Sequence, residues 1–166
     1  MELPLPEALL DAEVVMMCGV SGAGKTTVAR RLEGHGYVRL SADRIVHDRY
    51  GMDYQLMSPE RQHHIYMEAM DSITDRLPGL IATGQRVVID ASMCKRARRD
   101  AVNAICRASG ADCLTVYLSA PADALGQRLQ QRTGSGPDDQ PVTRGQLERF
   151  LTNFEKPGNG ENFISL

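Results

Sequence analysis

Residues 14–27 read VVMMC-GVSGAGKTT, an apolar run followed directly by a glycine-rich segment. Positions 19–26 match the pattern G-x-x-x-x-G-K-[ST], which in a strand-to-helix setting is typical of a phosphate-binding loop. Glycines let the backbone curl so that its N–H groups point at phosphate oxygens, and the helix that follows adds its positive dipole end. The pattern predicts that a nucleoside triphosphate is bound by Gly19, Ser21, Gly22, Ala23, Gly24, Lys25, Thr26 and Thr27.

Two side chains of this loop have specific expected roles. Lys25 is expected to reach the β- and γ-phosphates, where its charge would also serve catalysis. The hydroxyl of Thr26 is expected to bind Mg²⁺. ATP and Mg²⁺ are therefore the cofactors that the sequence predicts.

The composition predicts one globular domain over residues 1–166. The chain is long enough for one hydrophobic core, and no apolar run approaches the ~18 residues needed to cross a bilayer. The N-terminal residues lack the pattern of a secretory signal, so we expect a cytoplasmic protein with no membrane partner. A net charge of −2 does not indicate nucleic-acid binding, although such a partner stays open. The cysteines and histidines show no spacing typical of a metal site.

Strand and helix patterns alternate along the chain, which predicts an α/β fold with a parallel sheet and helices on both faces. The expected strands cover 14–18, 37–40, 86–90, 113–118 and 163–166. The expected helices cover 25–33, 44–50, a long stretch from Pro59, 96–108, 122–132 and a last stretch that follows Thr143.

Local signals refine these boundaries. Ser58 and Pro59 are typical of a helix start, and Pro78-Gly79 is expected to kink or end that helix. Residues 133–141 are the most turn-rich stretch, and we expect a mobile lid over about 128–142. The last helix is expected to begin with a capping box at Thr143 and to direct its apolar residues inward. These apolar residues are Leu147, Phe150, Leu151 and Phe154.

Other classes of phosphate-loop protein fit less well. GTPases need an N-K-x-D motif that reads guanine, and the sequence has none. A D-x-x-G match at 48–51 does not close an apolar strand. Large ATPases need more chain for their additional elements. The compact kinase type remains, in which one domain carries the nucleotide, an acceptor pocket and a lid.

Three segments of the chain resemble the P-loop kinase group that contains polynucleotide 5′-kinases and zeta-toxin-like kinases. They are CGVSGAGKTT at 18–27, LSAD at 40–43 and VVIDAS at 87–92; the later helix that carries arginines and the segments QLERF and FEKP at 146–157 are similar as well. Gluconate kinases share the style of the loop and are the nearest sibling. The resemblance covers nearly the whole chain. It implies a three-layer P-loop kinase fold with about five parallel strands in the order 2-3-1-4-5.

Asp43 and Asp90 follow or end expected strands, so both should lie at the sheet edge that carries the phosphate loop. By position alone, Asp43 either accepts the proton of an acceptor hydroxyl or, like Ser41, caps the next helix. The resemblance implies the first role. Asp90 ends an apolar strand as a Walker B carboxylate does, which favours binding of Mg²⁺ through water, or of the acceptor, over a chance polar strand end.

Arg128 and Arg132 lie four positions apart on an expected helix, just before the turn-rich stretch. The resemblance implies that Arg132, or else Arg128, is a catalytic lid arginine that neutralises the transferred phosphoryl group. The alternative is a solvated basic helix face.

The run KRARR at 95–99 places cations in the first turn of a helix, where the helix dipole disfavours them. Two interpretations fit this run equally well. It is either a cradle for an anionic acceptor, with Arg96 and Arg99 as ligands, or a solvated surface run. The similar kinases often carry an arginine three residues after the strand-two aspartate. Here that position is Val46, so either the acceptor differs from a nucleic-acid end or Arg44 is the ligand instead; Met93 likewise stands where asparagine is common.

The sequence therefore predicts an ATP- and Mg²⁺-dependent phosphotransferase that acts on a hydroxyl. Its acceptor would be a nucleic-acid 5′ end, a nucleoside or a small sugar-like molecule. An ATP-binding switch or ATPase without a phosphorylated acceptor is the first alternative, and a gluconate-type carbohydrate kinase is the second. The oligomeric state is not predicted.

Overall fold

The computed structural model describes residues 4–134, 136–138 and 141–166. The strands are β1 Val14–Cys18, β2 Val38–Ser41, β3 Val87–Asp90, β4 Cys113–Tyr117 and β5 Phe163–Ser165. They form one parallel sheet in the order β2-β3-β1-β4-β5. The predicted fold class and strand order are confirmed.

Helices connect the strands. They are α1 Glu7–Asp11, α2 Lys25–Gly34, α3 Ala42–Tyr50, α4 Pro59–Ala82, α5 Arg96–Ala108, α6 Ala122–Gln130 and α7 Arg144–Asn153, with a 3₁₀ helix Gly51–Leu56 between α3 and α4. Among the described residues, no helix combines the length and apolar composition that a membrane crossing requires.

The central strand β1 shows why the sheet is covered on both faces. All five of its residues are buried, which is the pattern of a parallel strand packed on both sides. Val15 and Met17 pack with leucines of α1, α2 and α6. Val14, Met16 and Cys18 point the other way and pack with residues of α3, α4 and α5.

Several local expectations are confirmed. The Ser58 hydroxyl accepts a hydrogen bond from the N–H of Arg61 at the start of α4. Thr143 and Gln146 form the predicted capping box at the start of α7. β5 is the predicted edge strand, paired with β4.

Three expectations are wrong in part. Helix α4 does not end at Pro78: it continues to Ala82, because Leu77, Leu80 and Ile81 pack against the core and offset the hydrogen bond that proline cannot make. Helix α6 ends at Gln130 rather than at residue 132. In α7, Leu147 is buried, whereas the side chains of residues 150 and 151 are exposed; Phe154 lies directly after the helix and packs against the core. The short helix α1 was not expected.

The carboxyl ends of β1, β2 and β3 meet at one edge of the sheet. Ser41, the last residue of β2, stands directly beside Asp90, the last residue of β3. β1 runs into the glycine-rich loop at the same edge. The fold therefore brings the loop, Asp43 and Asp90 to one place, as expected for ligand sites of open parallel sheets.

Candidate active site

The loop between β1 and α2 is held in a curled conformation that requires glycine. A Cβ atom at Gly19 would lie 2.5 Å from the carbonyl oxygen of Leu118, so no larger residue fits there. Gly24 has a φ of 101°, in the left-handed region that side chains disfavour. The N–H of Gly19 donates to the carbonyl of Ser92 at 3.1 Å, which ties the start of the loop to the segment that follows β3.

The N-terminus of α2 is suited to bind phosphate. The first N–H groups of any helix have no acceptor one turn earlier, and within the described residues no side chain caps α2. These groups and the helix dipole make an anion site. The ammonium of Lys25, the first residue of α2, donates to the carbonyl of Val20 at 2.9 Å, so its charge is held against the loop.

Lys25 lies in the electrostatic field of both predicted carboxylates. Burial lowers the pKa of Lys25 below its ordinary value, and the charges of Asp43 and Asp90 oppose that effect. The nearby charge of Arg132 adds to the lowering. The structure thus brings together the loop lysine, both carboxylates and one of the predicted lid arginines.

Asp43 lies in the first turn of α3, but it is not the residue that caps the helix. Ser41 does so, because its hydroxyl accepts a hydrogen bond from the N–H of Arg44 at 3.2 Å. The Asp43 carboxyl is half-buried, and burial raises its pKa from 3.8 to about 6. The charge of Lys25 lowers that pKa and the charge of Asp90 raises it. A carboxylate with this pKa is suited to accept a proton near neutral pH.

Asp90 lies at the end of β3 beside the loop. Its carboxylate oxygens Oδ2 and Oδ1 lie 3.1 and 3.3 Å from the Thr26 hydroxyl, which donates to them. Within the described residues there is no cluster of three or more acidic, histidine or cysteine side chains that would hold a metal alone. Mg²⁺ is usually held by one or two carboxylates together with substrate phosphates and water. The pair formed by Thr26 and Asp90 fits that pattern.

Arg39 is a residue of the site that sequence reasoning missed. It lies in β2 with its side chain fully buried, and its Nη2 is 2.6 Å from Oδ2 of Asp90 and 2.5 Å from Oδ1 of Asp138. Its Nε also donates to Asp90 at 2.9 Å. Nη1 has no hydrogen-bond partner within the described residues. The sequence did contain a signal, which is an arginine between two apolar residues of a core strand. Because a buried charge needs a partner, such an arginine indicates a carboxylate nearby.

The expected lid is described in part, because residues 135, 139 and 140 lie outside the described residues. Arg128 donates to the carbonyl of Gly22 in the loop at 2.9 Å. Arg132 follows the end of α6 instead of lying on the same helix face, and its charge lowers the pKa values of Lys25 and Asp43. Asp138 pairs with Arg39 and with Arg30 of α2. The described lid residues therefore contact the loop and the carboxylate site.

The structure does not place Arg99 of the basic run at 95–99 in an anion cradle. The Arg99 side chain is fully buried, pairs with Glu161 at 2.6 Å and donates to the carbonyl of Met93 at 2.8 Å. It cannot reach an acceptor, so that expectation is corrected. Arg96 is exposed and contacts Asp100 and the carbonyl of Asn159, so its role as an acceptor ligand stays a prediction.

The two positions that depart from the similar kinases are both buried. Val46 lies on the buried face of α3 and packs in the core, where an arginine would need a partner. Met93 is buried with a φ of 45°, which is rare outside glycine and indicates a constrained loop after β3. Arg44 stands next to Asp43 and lies 3.9 Å from Glu33, so its role as a ligand stays a prediction.

A family model described as "AAA domain" matches residues 14–157 of the chain. The match begins with β1, includes the loop, Asp43, Asp90 and the lid segment, and ends just after α7. The chain belongs to this AAA domain family. No curated protein sequence matches the chain significantly.

Solved structures resemble this AAA domain along most of its length. A gluconokinase from Sinorhizobium meliloti 1021 is 21% identical, with a TM-score of 0.64, over 92% of this chain and 81% of that chain. A sugar kinase from Janibacter sp. HTCC2649 is 22% identical, with a TM-score of 0.66, over 92% and 83%. Kti12 from Chaetomium thermophilum, in complex with ADP-AlF3, is 15% identical, with a TM-score of 0.64, over 92% and 88%. At these identities the likeness shows a shared P-loop kinase fold; the resemblance to the polynucleotide kinase group is not confirmed.

Proposed function

We propose that this AAA domain is an ATP- and Mg²⁺-dependent kinase that transfers the γ-phosphoryl group to a hydroxyl. The observation that carries the proposal is the Asp43 carboxyl, which is half-buried beside Lys25, is not used as a helix cap and has a pKa raised to about 6. A nucleotide switch has no evident need for such a carboxylate, whereas a kinase needs one to orient the acceptor and take its proton.

The roles of the other residues follow from their positions. The loop and the N-terminus of α2 would hold the phosphates, with Lys25 against the β- and γ-phosphates. Thr26 and Asp90 would hold Mg²⁺, which supplies charge neutralisation when bound. Arg132 and Arg128 would balance negative charge on the phosphoryl group from the lid side. Arg39 would keep the Asp90 carboxylate in place.

Replacement of Asp43 by asparagine tests the proposal. We expect Asp43→Asn to reduce phosphoryl transfer by about 10²- to 10⁴-fold, because the amide cannot accept the hydroxyl proton. ATP binding, measured by calorimetry, should be retained. In the unchanged protein, transfer should fall as the pH drops through about 6, where Asp43 becomes protonated.

The same substitution has a second expected effect that is opposite in sign. A folded-state pKa of about 6 against 3.8 means that folding opposes ionisation of Asp43, so stability falls as the pH rises between these values. Asp43→Asn should therefore raise the free energy of unfolding at pH 7, by at most about 3 kcal/mol. Asp48→Asn, an exposed change on the same helix, is the matched control. Retained transfer in Asp43→Asn would exclude Asp43 as the base, whereas ATP binding without transfer by the unchanged protein would favour the switch or ATPase.

The gluconokinase and sugar kinase among the similar structures make a carbohydrate kinase the second candidate. That candidate rests on a shared fold and on the loop style. Transfer from labelled ATP to gluconate or to simple sugars would support it directly.

A further inference from the structure

A pocket of about 370 Å³ lies between α4, α5 and the segment that follows β3. This volume is within the range of small-molecule sites. Its walls include three methionines, two alanines and Cys94, which makes them predominantly apolar. We call it the methionine pocket, after Met67, Met70 and Met93. Methionine side chains adapt to apolar and aromatic surfaces.

The methionine pocket adjoins the phosphate loop and the carboxylate site. Ser92 lines it, and the carbonyl of Ser92 accepts the hydrogen bond from Gly19 at the start of the loop. Tyr66 also lines it, and the Tyr66 hydroxyl accepts from the N–H of Ser92 at 3.3 Å. Burial, followed by the charge of Asp43, raises the pKa of Tyr66. The pocket therefore adjoins the start of the loop, and its side chain Tyr66 lies within the electrostatic field of Asp43.

The two cations at the pocket are already neutralised. Lys95 lies 3.4 Å from Glu155, and Arg98 lies 3.0 Å from Asp71. An anionic acceptor would compete with these carboxylates for the two cations. The pocket thus offers little to a sugar acid or a terminal phosphate.

The pocket also lacks the hydrogen-bonding groups that a polyol needs. Its uncharged polar side chains are Tyr66 and Ser92. The Tyr66 hydroxyl is already hydrogen-bonded to the hydroxyl and to the N–H of Ser92. Each sugar hydroxyl buried against methionine and alanine without a partner would cost free energy. An apolar or aromatic body has no such cost and gains from burial.

We propose that the methionine pocket binds the acceptor, and that the acceptor is a neutral alcohol with an apolar or aromatic body. This rests on the proposed kinase function. The hydroxyl extends toward Asp43, which takes its proton as the oxygen bonds to the γ-phosphorus. The bond between that phosphorus and the β–γ bridging oxygen breaks, and ADP leaves with the electron pair. A nucleoside held by its base and a simple aryl alcohol both belong to this class.

The test uses a substitution that fills the pocket from an exposed helix position. Ala101 of α5 lines the pocket and is exposed, so phenylalanine can be placed there without disturbing the core. Ala104 is exposed on the same helix but does not line the pocket, and Ala104→Phe is the matched control. Ala97→Phe, also at the pocket, serves if Ala101→Phe fails to fold.

The first measurement is binding of 2-naphthalenemethanol, followed by its fluorescence, and it needs no catalysis. We expect binding to the unchanged protein, to Ala104→Phe and to Asp43→Asn, with about tenfold or greater weakening in Ala101→Phe. Absence of binding, or equal binding by Ala101→Phe, overturns the inference and leaves the proposed function intact.

The second measurement is transfer from labelled ATP to aryl alcohols, nucleosides, glucose, gluconate and 5′-hydroxyl oligonucleotides. We expect transfer to the first two classes, with KM for the acceptor raised about tenfold or more by Ala101→Phe and KM for ATP unchanged. The proposed acceptor class is overturned if glucose, gluconate or oligonucleotides are the preferred acceptors and Ala101→Phe does not affect transfer to them. Binding of the naphthyl probe with no transfer to any acceptor overturns the kinase function instead.

Discussion

Arg39 and Arg99 both bury their side chains completely, and both pair with carboxylates that are distant in the sequence. Their surroundings differ. Arg99 pairs with Glu161 and with the carbonyl of Met93, so it attaches the C-terminal segment to α5. Arg39 joins Asp90, beside the loop threonine, to Asp138 in the lid segment.

The difference shows how a structural arginine can be told from one that belongs to a site. All the partners of Arg99 are parts of the permanent fold. Arg39 is hydrogen-bonded to one carboxylate that is a candidate for Mg²⁺ binding and to one in the segment expected to move. Its Nη1 lies 4.0 Å from a carboxylate oxygen of Glu33 and has no hydrogen-bond partner within the described residues. Burial alone does not separate the two; the identity of the partners does.

The largest expected effect is on stability. Arg99→Met should reduce the free energy of unfolding by about 3–5 kcal/mol, because it leaves the buried Glu161 carboxylate without its partner. Urea denaturation measures this. Arg96→Met, an exposed neighbour, should change stability by no more than about 0.5 kcal/mol. A small loss of stability with lost nucleotide or acceptor binding would restore Arg99 as a ligand.

A smaller loss is expected at Arg39. Arg39→Met should cost about 2–3 kcal/mol without Mg²⁺, because Asp90 keeps its hydrogen bond from Thr26. The guanidinium and a metal ion both neutralise Asp90, so Mg²⁺ with nucleotide should stabilise Arg39→Met more than it stabilises Arg99→Met. Thermal unfolding with and without both ligands gives the comparison. Equal gains in the two variants would place the metal away from Asp90.

The smallest effect is expected at the lid. Asp138→Asn should cost about 1 kcal/mol, since Asp138 loses its charge toward Arg39 and the exposed Arg30 while Arg39 keeps Asp90. Hydrogen exchange should become faster at residues 131–134 and stay unchanged in α4. Asp75→Asn, an exposed change in α4, is the control, and equal exchange in the two variants would contradict the contact.

The ion pair of Asp138 also has an expected pH dependence. Burial raises the pKa of Asp138, but hydrogen bonds and charges from Arg39 and Arg30 outweigh it and hold that pKa below 3.8. Its stabilisation is therefore present above pH 3.8 and lost as the pH falls further. After correction for the intrinsic pH dependence of amide exchange, the protection of residues 131–134 should fall as the pH drops below 3.8.

Local patterns predicted most of the fold because they act over short distances. The loop glycines, the cap at Ser58 and the capping box at Thr143 depend on neighbours within one turn, and the structure has them as expected. The end of α4 was missed because packing of Leu80 and Ile81 outweighed the local effect of Pro78. Tertiary contacts decided that boundary.

The candidate site divides in the same way. The motif and the strand ends were enough to predict that Lys25, Asp43 and Asp90 would meet, because parallel strands bring their carboxyl ends to one edge. The partners of each arginine could not be predicted. Arg39, Arg99 and their carboxylates are brought together only when separate strands and helices pack.

By itself, the sequence determined the phosphate loop and the edge at which the carboxylates gather, since these follow from local conformation and parallel topology. The strand order was implied by the resemblance to P-loop kinases. Only the tertiary structure decided that Ser41 rather than Asp43 caps α3, that Arg99 is structural and that Arg39 joins the site. It also decided that the pocket beside the loop is apolar. The physical reason is that burial and charge pairing depend on residues far apart in the chain, and no local sequence pattern indicates which of these residues will meet.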